Sequence, residues 1–334
     1  MNKVKVGIFW LVLFMSAIGF GQADIWYIGS DIKFDFSNPG DPVVSRGIPV
    51  APGGDLWESS TAISDANGDF LFGVIGDKIY DANLTTYNLP ASTWNASQGS
   101  LVFPKPGSPG TYYLVVMMHT TNGSTGGKNA KYYEITPQAD GSINNPVGVN
   151  LLPNLTQAQS GVPKIDLSGN VLDDYWLVTH ESCNDGFKVF SVDNAGISLS
   201  STENAGNSLT CDSNWPPRYD DLGTIKFNTC YTQFAYATFN KVMLFDFNAV
   251  TGGISHVNTI TTLPQPFGVE FSPNGQNLFV NVGYDNNTAG QIYKSVIDGS
   301  GLQSFTIIGT AHSASIVQPV EVVTFTEYSP VTSA

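Results

Sequence analysis

The chain is poor in charge. Only 13% of its 334 residues are Asp, Glu, Lys or Arg, and the acids outnumber the bases 28 to 14. An acidic surface disfavours nucleic acid and anionic membranes, since both repel it. It leaves open cations, cell-surface polymers and protein partners.

Cysteine is nearly missing. There are three, Cys183, Cys211 and Cys230, and no two are spaced Cys-x-x-Cys. That spacing is what a structural zinc site would need. In an exported protein one pair can bridge, which leaves the third thiol free or bonded elsewhere.

Long apolar runs are missing too, with one exception at the start. Residues 1–23 hold Lys3 and Lys5, then "VGIFWLVLFMSAIGF", then "GQA". A basic start, a short apolar stretch and small residues before a cut describe a secretory signal peptide. A membrane anchor is the other reading, but the run is short for a span and Asp24 follows at once. Cleavage after Gln22 or Ala23 fits, and we take Ala23. Loss of Lys3 and Lys5 then moves the formal charge from −14 to −16. The expected product is residues 24–334, a single domain and a monomer, with no membrane span after cleavage. It would be secreted or held at the outer surface of a bacterium.

Enzyme signatures are absent. The chain has no Gly-x-Ser-x-Gly, no His-Glu-x-x-His and no phosphate loop in a strand-to-helix setting. "GSTGGKNAK" at 123 sits between strand patterns. "DANGD" at 65 and "DNNTAG" at 285 have the composition of a calcium loop without its terminal Glu. They read as Asx turns. No catalytic residue, metal or cofactor is expected.

Helical periodicity is also nearly absent. What fills the chain instead is a repeated hairpin. "ISDANGDFLF" at 63 and "FSPNGQNLFV" at 271 share a strand end, a turn and a second strand. The same design appears as "VFPKPGSPGTYYLV" at 102, "IDLSGNVLDDYWLV" at 165 and "IKFNTCYTQFAY" at 225. Each copy is followed by a third strand: "DKIYDAN", "KYYEITPQADG", "FKVFSVDNAG", "VMLFDFNAVTGG" and "QIYKSVIDGSG". Several of these end in Asp or Asn beside Gly, which suits a tight turn into a fourth strand.

Each unit is thus a four-stranded meander. Second-strand positions Phe72, Leu114, Leu177, Ala235 and Phe279 recur at intervals of 42, 63, 58 and 44 residues. Meanders at that period mark an all-β fold, the β-propeller, in which small twisted sheets bury both faces against their neighbours. A β-sandwich would not repeat a whole meander with the same turn. Residues 25–47 and 316–328 supply strands at the two ends, and putting both in one blade closes the ring. That count is six blades; a truncated blade at the C-terminus would make seven.

The stretches "DIWYIGSDIKFDF", "SSTAISDANGDFLF", "LVFPKPGSPGTYYLV", "DYWLVTHES" and "GVEFSPNGQNLFV" resemble, in that order, an N-terminal propeller of gliding-motility-associated proteins. These are exported by the type IX secretion route and are related in fold to WD-repeat and YVTN-type propellers. The likeness covers most of residues 24–310. It implies extracellular display and binding, and it supplies no catalytic residues.

Topology then singles out one face. Loops from an outer strand to the next inner strand share it with loops between second and third strands. Trp57, Trp94 and Trp215 lie in outer-to-inner connections, with Arg218 beside the last. His119 and His180 follow second strands, with Glu181 next to the latter, and Tyr284 and Asp285 take the matching place in the last repeat. Exposed aromatics beside such groups suit a sugar or peptide ligand. A loop Trp can equally plug the gap between blades, and a strand-end His can cap a carbonyl. Trp26 and Trp176 read as core.

The expected function is a non-catalytic binding module for a protein or glycan. A lactonase- or lyase-like enzyme with its site at the channel mouth is the alternative, with Glu58, Glu181 and Asp285 as its carboxylates. A structural spacer in a longer chain is another. Cys183 and Cys211 fall on the same face, and Cys230 in an inner-hairpin turn on the opposite one. This predicts a Cys183–Cys211 disulfide and a free Cys230.

Overall fold

The computed structural model describes residues 25–28, 32–35, 43–46, 60–65, 69–89, 98–118, 129–205, 223–238, 240–282 and 290–310. All the regular structure among them is β, arranged in six antiparallel sheets. The first is β1 (Ile25–Ile28), β2 (Ile32–Asp35) and β3 (Val43–Arg46). The second is β4 (Ser60–Ser64), β5 (Phe70–Ile75), β6 (Lys78–Asp81) and β7 (Thr86–Asn88). The third is β8 (Ser100–Pro104), β9 (Tyr112–Met118), β10 (Asn129–Ile135) and β11 (Gly148–Asn150).

The fourth sheet is β12 (Leu155–Ile165), β13 (Val171–Glu181), β14 (Gly186–Asp193) and β15 (Gly196–Asn204). The fifth is β16 (Gly223–Phe227), β17 (Gln233–Thr238), β18 (Val242–Phe247) and β19 (Ile254–Ile260). The sixth is β20 (Pro266–Phe271), β21 (Asn277–Val282) and β22 (Gln291–Asp298), with β23 (Gly301–Leu302) and β24 (Thr306–Thr310) both pairing β22. Its fourth strand is therefore one strand in two pieces.

Strand order follows chain order in every sheet, and first strands of successive sheets lie side by side: β1 by β4, β4 by β8, β8 by β12, β12 by β16 and β16 by β20. This is a β-propeller. The hairpin repeats of the sequence are its first two strands, and all five third strands fall where their motifs do. Residues 316–328, expected in the closing blade, lie outside the described residues.

The burial argument holds in detail. On β9, Leu114 and Val116 pack toward the second sheet with Phe72, Val74 and Ile79. Their neighbours Tyr113 and Val115 pack toward the fourth with Tyr175, Leu177 and Phe190. Trp176, Val178 and Phe187 then meet Ile225, Phe234 and Phe245 of the fifth sheet. A strand buried on both faces needs apolar residues at every position, which is why "YYLVVMM" shows no alternation. Each fully buried large side chain contributes roughly 1.5–3 kcal/mol.

The sixth sheet departs from this. On the fifth sheet, the face turned to the sixth carries Val242 and Leu244, both 0% exposed. The corresponding outward positions of the sixth, Ile292 and Val296, are 46% and 50% exposed. Glu270 on β20 is exposed as well, and it holds Lys226 at 3.0 Å.

Turn chemistry follows the sequence. Asp81 accepts from Asn83 N and Thr85 N at 3.0 and 2.8 Å, and Asp298 accepts from Ser300 N at 2.8 Å. Gly252, at φ +81°, lets the β18–β19 turn lie against Trp176; a Cβ there would press on Trp176 and Val189. That turn also accepts the Trp176 indole N–H on Ala249 O at 2.8 Å.

Candidate functional site

The face expected to bind is where β12 begins. Four polar residues there, Thr156, Gln157, Gln159 and Ser160, are buried. The register slips between Leu155↔Glu181 and Gln159↔Thr179, so β12 bulges at residues 156–158. Bulges concentrate beside functional sites because they re-aim side chains. Thr179 Oγ1 donates to Ala158 O at 2.8 Å and holds the bulge to β13.

Into this region reaches Gln98, from just before β8 and four positions after Trp94 in the same connection. Its Oε1 accepts from Ile225 N at 2.7 Å and from Gln159 N at 3.2 Å. Its Nε2 donates to Ile225 O at 2.9 Å, and its own carbonyl accepts from Gln159 Nε2 at 2.8 Å. β12 and β16 are first strands, so their edges away from β13 and β17 face the propeller axis. Ile225 turns both its N–H and its C=O to that edge. One buried amide from the third sheet thus ties the axial edges of the fourth and fifth. Gln159 Oε1 makes no bond within the chain.

Of the nine residues singled out in the sequence, two are described. His180 is 1% exposed, which corrects the expectation of a presented imidazole. Its Nδ1 lies 2.7 Å from Glu181 O, and its ring packs edge-on to Phe187 at 4.5 Å and near Tyr236 at 5.7 Å. Burial lowers its pKa to about 4, so the imidazole is neutral at pH 7. It caps a carbonyl between the fourth and fifth sheets. Glu181 is half-buried and holds Lys188 at 3.0 Å. Trp57, Trp94, His119, Trp215, Arg218, Tyr284 and Asp285 lie outside the described residues.

Cys183 is disulfide-bonded and sits at φ +61° in the β13–β14 turn. Cys230 is free and exposed in the β16–β17 turn, as topology predicts. Cys211, the expected partner of Cys183, lies outside the described residues. Trp176 is core, again as expected.

Sequence reasoning missed Gln98 and Gln159. Gln98 reads as part of a polar loop. "TQAQS" did carry a signal: a polar run where a doubly packed strand should be apolar. Among the described residues no group of three His, Cys, Asp or Glu stands close enough to hold a metal ion. Among them, too, no helix is long and apolar enough to cross a membrane.

No family model matches the chain, and no curated protein does. Solved structures do resemble it. A functionally unknown protein from Desulfotomaculum acetoxidans is 14% identical over 88% of this chain and 86% of its own, with a TM-score of 0.49. A candidate 6-phosphogluconolactonase from Bacteroides fragilis is 12% identical over 86% and 92%, with a TM-score of 0.41. An oligogalacturonate lyase in complex with manganese is 9% identical over 81% and 69%, with a TM-score of 0.41. Identities this low transfer no activity.

Proposed function

We propose that this propeller is an exported binding module that engages a protein or glycan through loops and performs no chemistry of its own. The observation that carries the reading is the Gln98 tie. Its amide occupies the axial edges of two neighbouring first strands, so the polar backbone groups that a substrate in the channel would meet are already used within the chain. Recognition then falls to the connections around the mouth. The resemblance to gliding-motility-associated propellers of the type IX route supports display outside the cell and fits the N-terminal leader pattern.

The surface proposed for the partner comprises Trp57, Trp94, His119, Trp215, Arg218, Tyr284 and Asp285. Equivalent loops of different blades bring such positions to one face. A screen of residues 24–334 against glycan arrays and surface extracts should yield a ligand. Trp57→Ala or Trp215→Ala should then weaken binding by about 2 kcal/mol, roughly 30-fold, with the melting temperature unchanged. Several degrees of lost melting with full affinity would make that Trp a plug between blades and refute its place in the site.

A further inference from the structure

The fourth sheet carries a hairpin that outgrows the propeller. β12 and β13 run 11 residues each, against 5 and 6 for β16 and β17 of the next sheet. Trp176 and Phe234 share one core cluster. β17 starts one residue before Phe234, whereas β13 starts at Val171, so the extra strand reaches roughly 13 Å further at about 3.3 Å per residue. The burial record agrees: Val171, Leu172 and Asp173 are all exposed, and Leu167 at the tip is 94% exposed.

The projection is rigid. Asp166 accepts from Ser168 N, Asn170 N and Asn170 Nδ2 at 2.8, 2.9 and 2.8 Å, which fixes the tip. At the base, Ile165 N donates to Ala249 O at 3.1 Å. Lys164 stacks over Trp176 at 4.4 Å and donates to Ser191 Oγ at 2.6 Å.

One edge of it is open. β13 pairs with β14 only from Tyr175↔Val192 to His180↔Phe187. The outer edge of residues 171–174 has no strand beside it among the described residues. Bare edges invite added strands, and charge is what keeps wrong ones away. Asp173 and Asp174 lie on this edge, and the one nearby cation, Lys164, is held by Trp176 and Ser191 at 3.9 Å from Asp174. Two copies of so acidic an edge repel each other, while a basic strand is welcomed.

We propose that the Val171–Asp174 edge is a strand-addition site for an extended segment of a partner polypeptide in which apolar residues alternate with Lys or Arg. The apolar residues would lie against Val171, Leu172 and Leu167, and the cations opposite Asp173 and Asp174. This surface is on the side of the inner hairpins, opposite the face proposed above, so each can fail without the other.

The test uses two fluorescein-labelled nine-residue peptides, one alternating Val or Tyr with Lys and one with Glu in place of each Lys, titrated into residues 24–334. The Lys peptide should bind saturably and at least 10-fold tighter than the Glu peptide, and amides 171–174 should gain exchange protection. Asp173→Lys with Asp174→Lys should reverse the preference without moving the melting temperature, and Trp57→Ala should change nothing. No binding, equal binding of both peptides, or a preference that survives the double charge swap would overturn the proposal.

Discussion

The side chain of Gln98 bonds both backbone groups of Ile225, 127 positions further along the chain. It stands in for a peptide unit of a neighbouring strand. Because Gln159 N and Gln159 Nε2 bond the same residue, three sheets meet at one amide.

Gln98→Ala should therefore be costly although the residue belongs to no strand. It would leave Ile225 N–H, Ile225 C=O and Gln159 N–H buried without partners, at about 1–3 kcal/mol each. We expect a loss of at least 3 kcal/mol in denaturant unfolding. Gln98→Asn should lose nearly as much, since the shorter amide cannot span both strands. A loss below about 0.5 kcal/mol would show that the tie carries no stability.

His180 makes stability depend on pH. Its folded pKa, about 4, lies below the ordinary value of 6.5. Between those two values the unfolded chain binds the extra proton, so stability rises with pH there. The contribution is complete above pH 6.5 and is lost as pH falls toward 4, on the order of 3 kcal/mol in all. Unfolding at pH 7 and pH 4.5 should show this fall in the native sequence. His180→Phe should flatten that part of the profile, and an unchanged profile would contradict the burial.

The three thiols should behave differently. Native protein should take one alkyl group, on Cys230, and Cys230→Ser should leave melting unchanged. Peptide mapping should find Cys183 linked to Cys211. Reduction should cost about 3 kcal/mol, the chain-entropy value for a loop of roughly 28 residues. A bridge to Cys230 within the chain would refute the pairing.

The sixth sheet bears on the chain's end. Its outward face exposes Ile292 and Val296, where the fifth sheet buries Val242 and Leu244. If residues 316–328 help close the ring, deleting residues 316–334 should lower the melting temperature sharply and raise binding of a hydrophobic dye. A truncated protein with unchanged melting would mean that closure does not use this segment.

Most of the fold was legible because its signals are local. A turn such as "SPNG" and a run such as "YYLVVMM" each state a strand boundary or a double burial within ten residues, and five repeats made the architecture redundant. The site was less legible. His180 looked like a loop residue because it follows "YWLVT", but the neighbouring blade folds Phe187 and Tyr236 over it.

The sequence by itself determined the all-β meander, the order of the strands and the topological separation of Cys183 from Cys230. Periodicity and turn chemistry depend only on near neighbours in the chain, so they survive without coordinates. Tertiary structure alone decided that Gln98 reaches Ile225, that His180 is neutral and buried, and that Val171–Asp174 projects past β14. Each of these depends on where one blade stops and the next begins, and that is set by contacts between residues far apart in the chain.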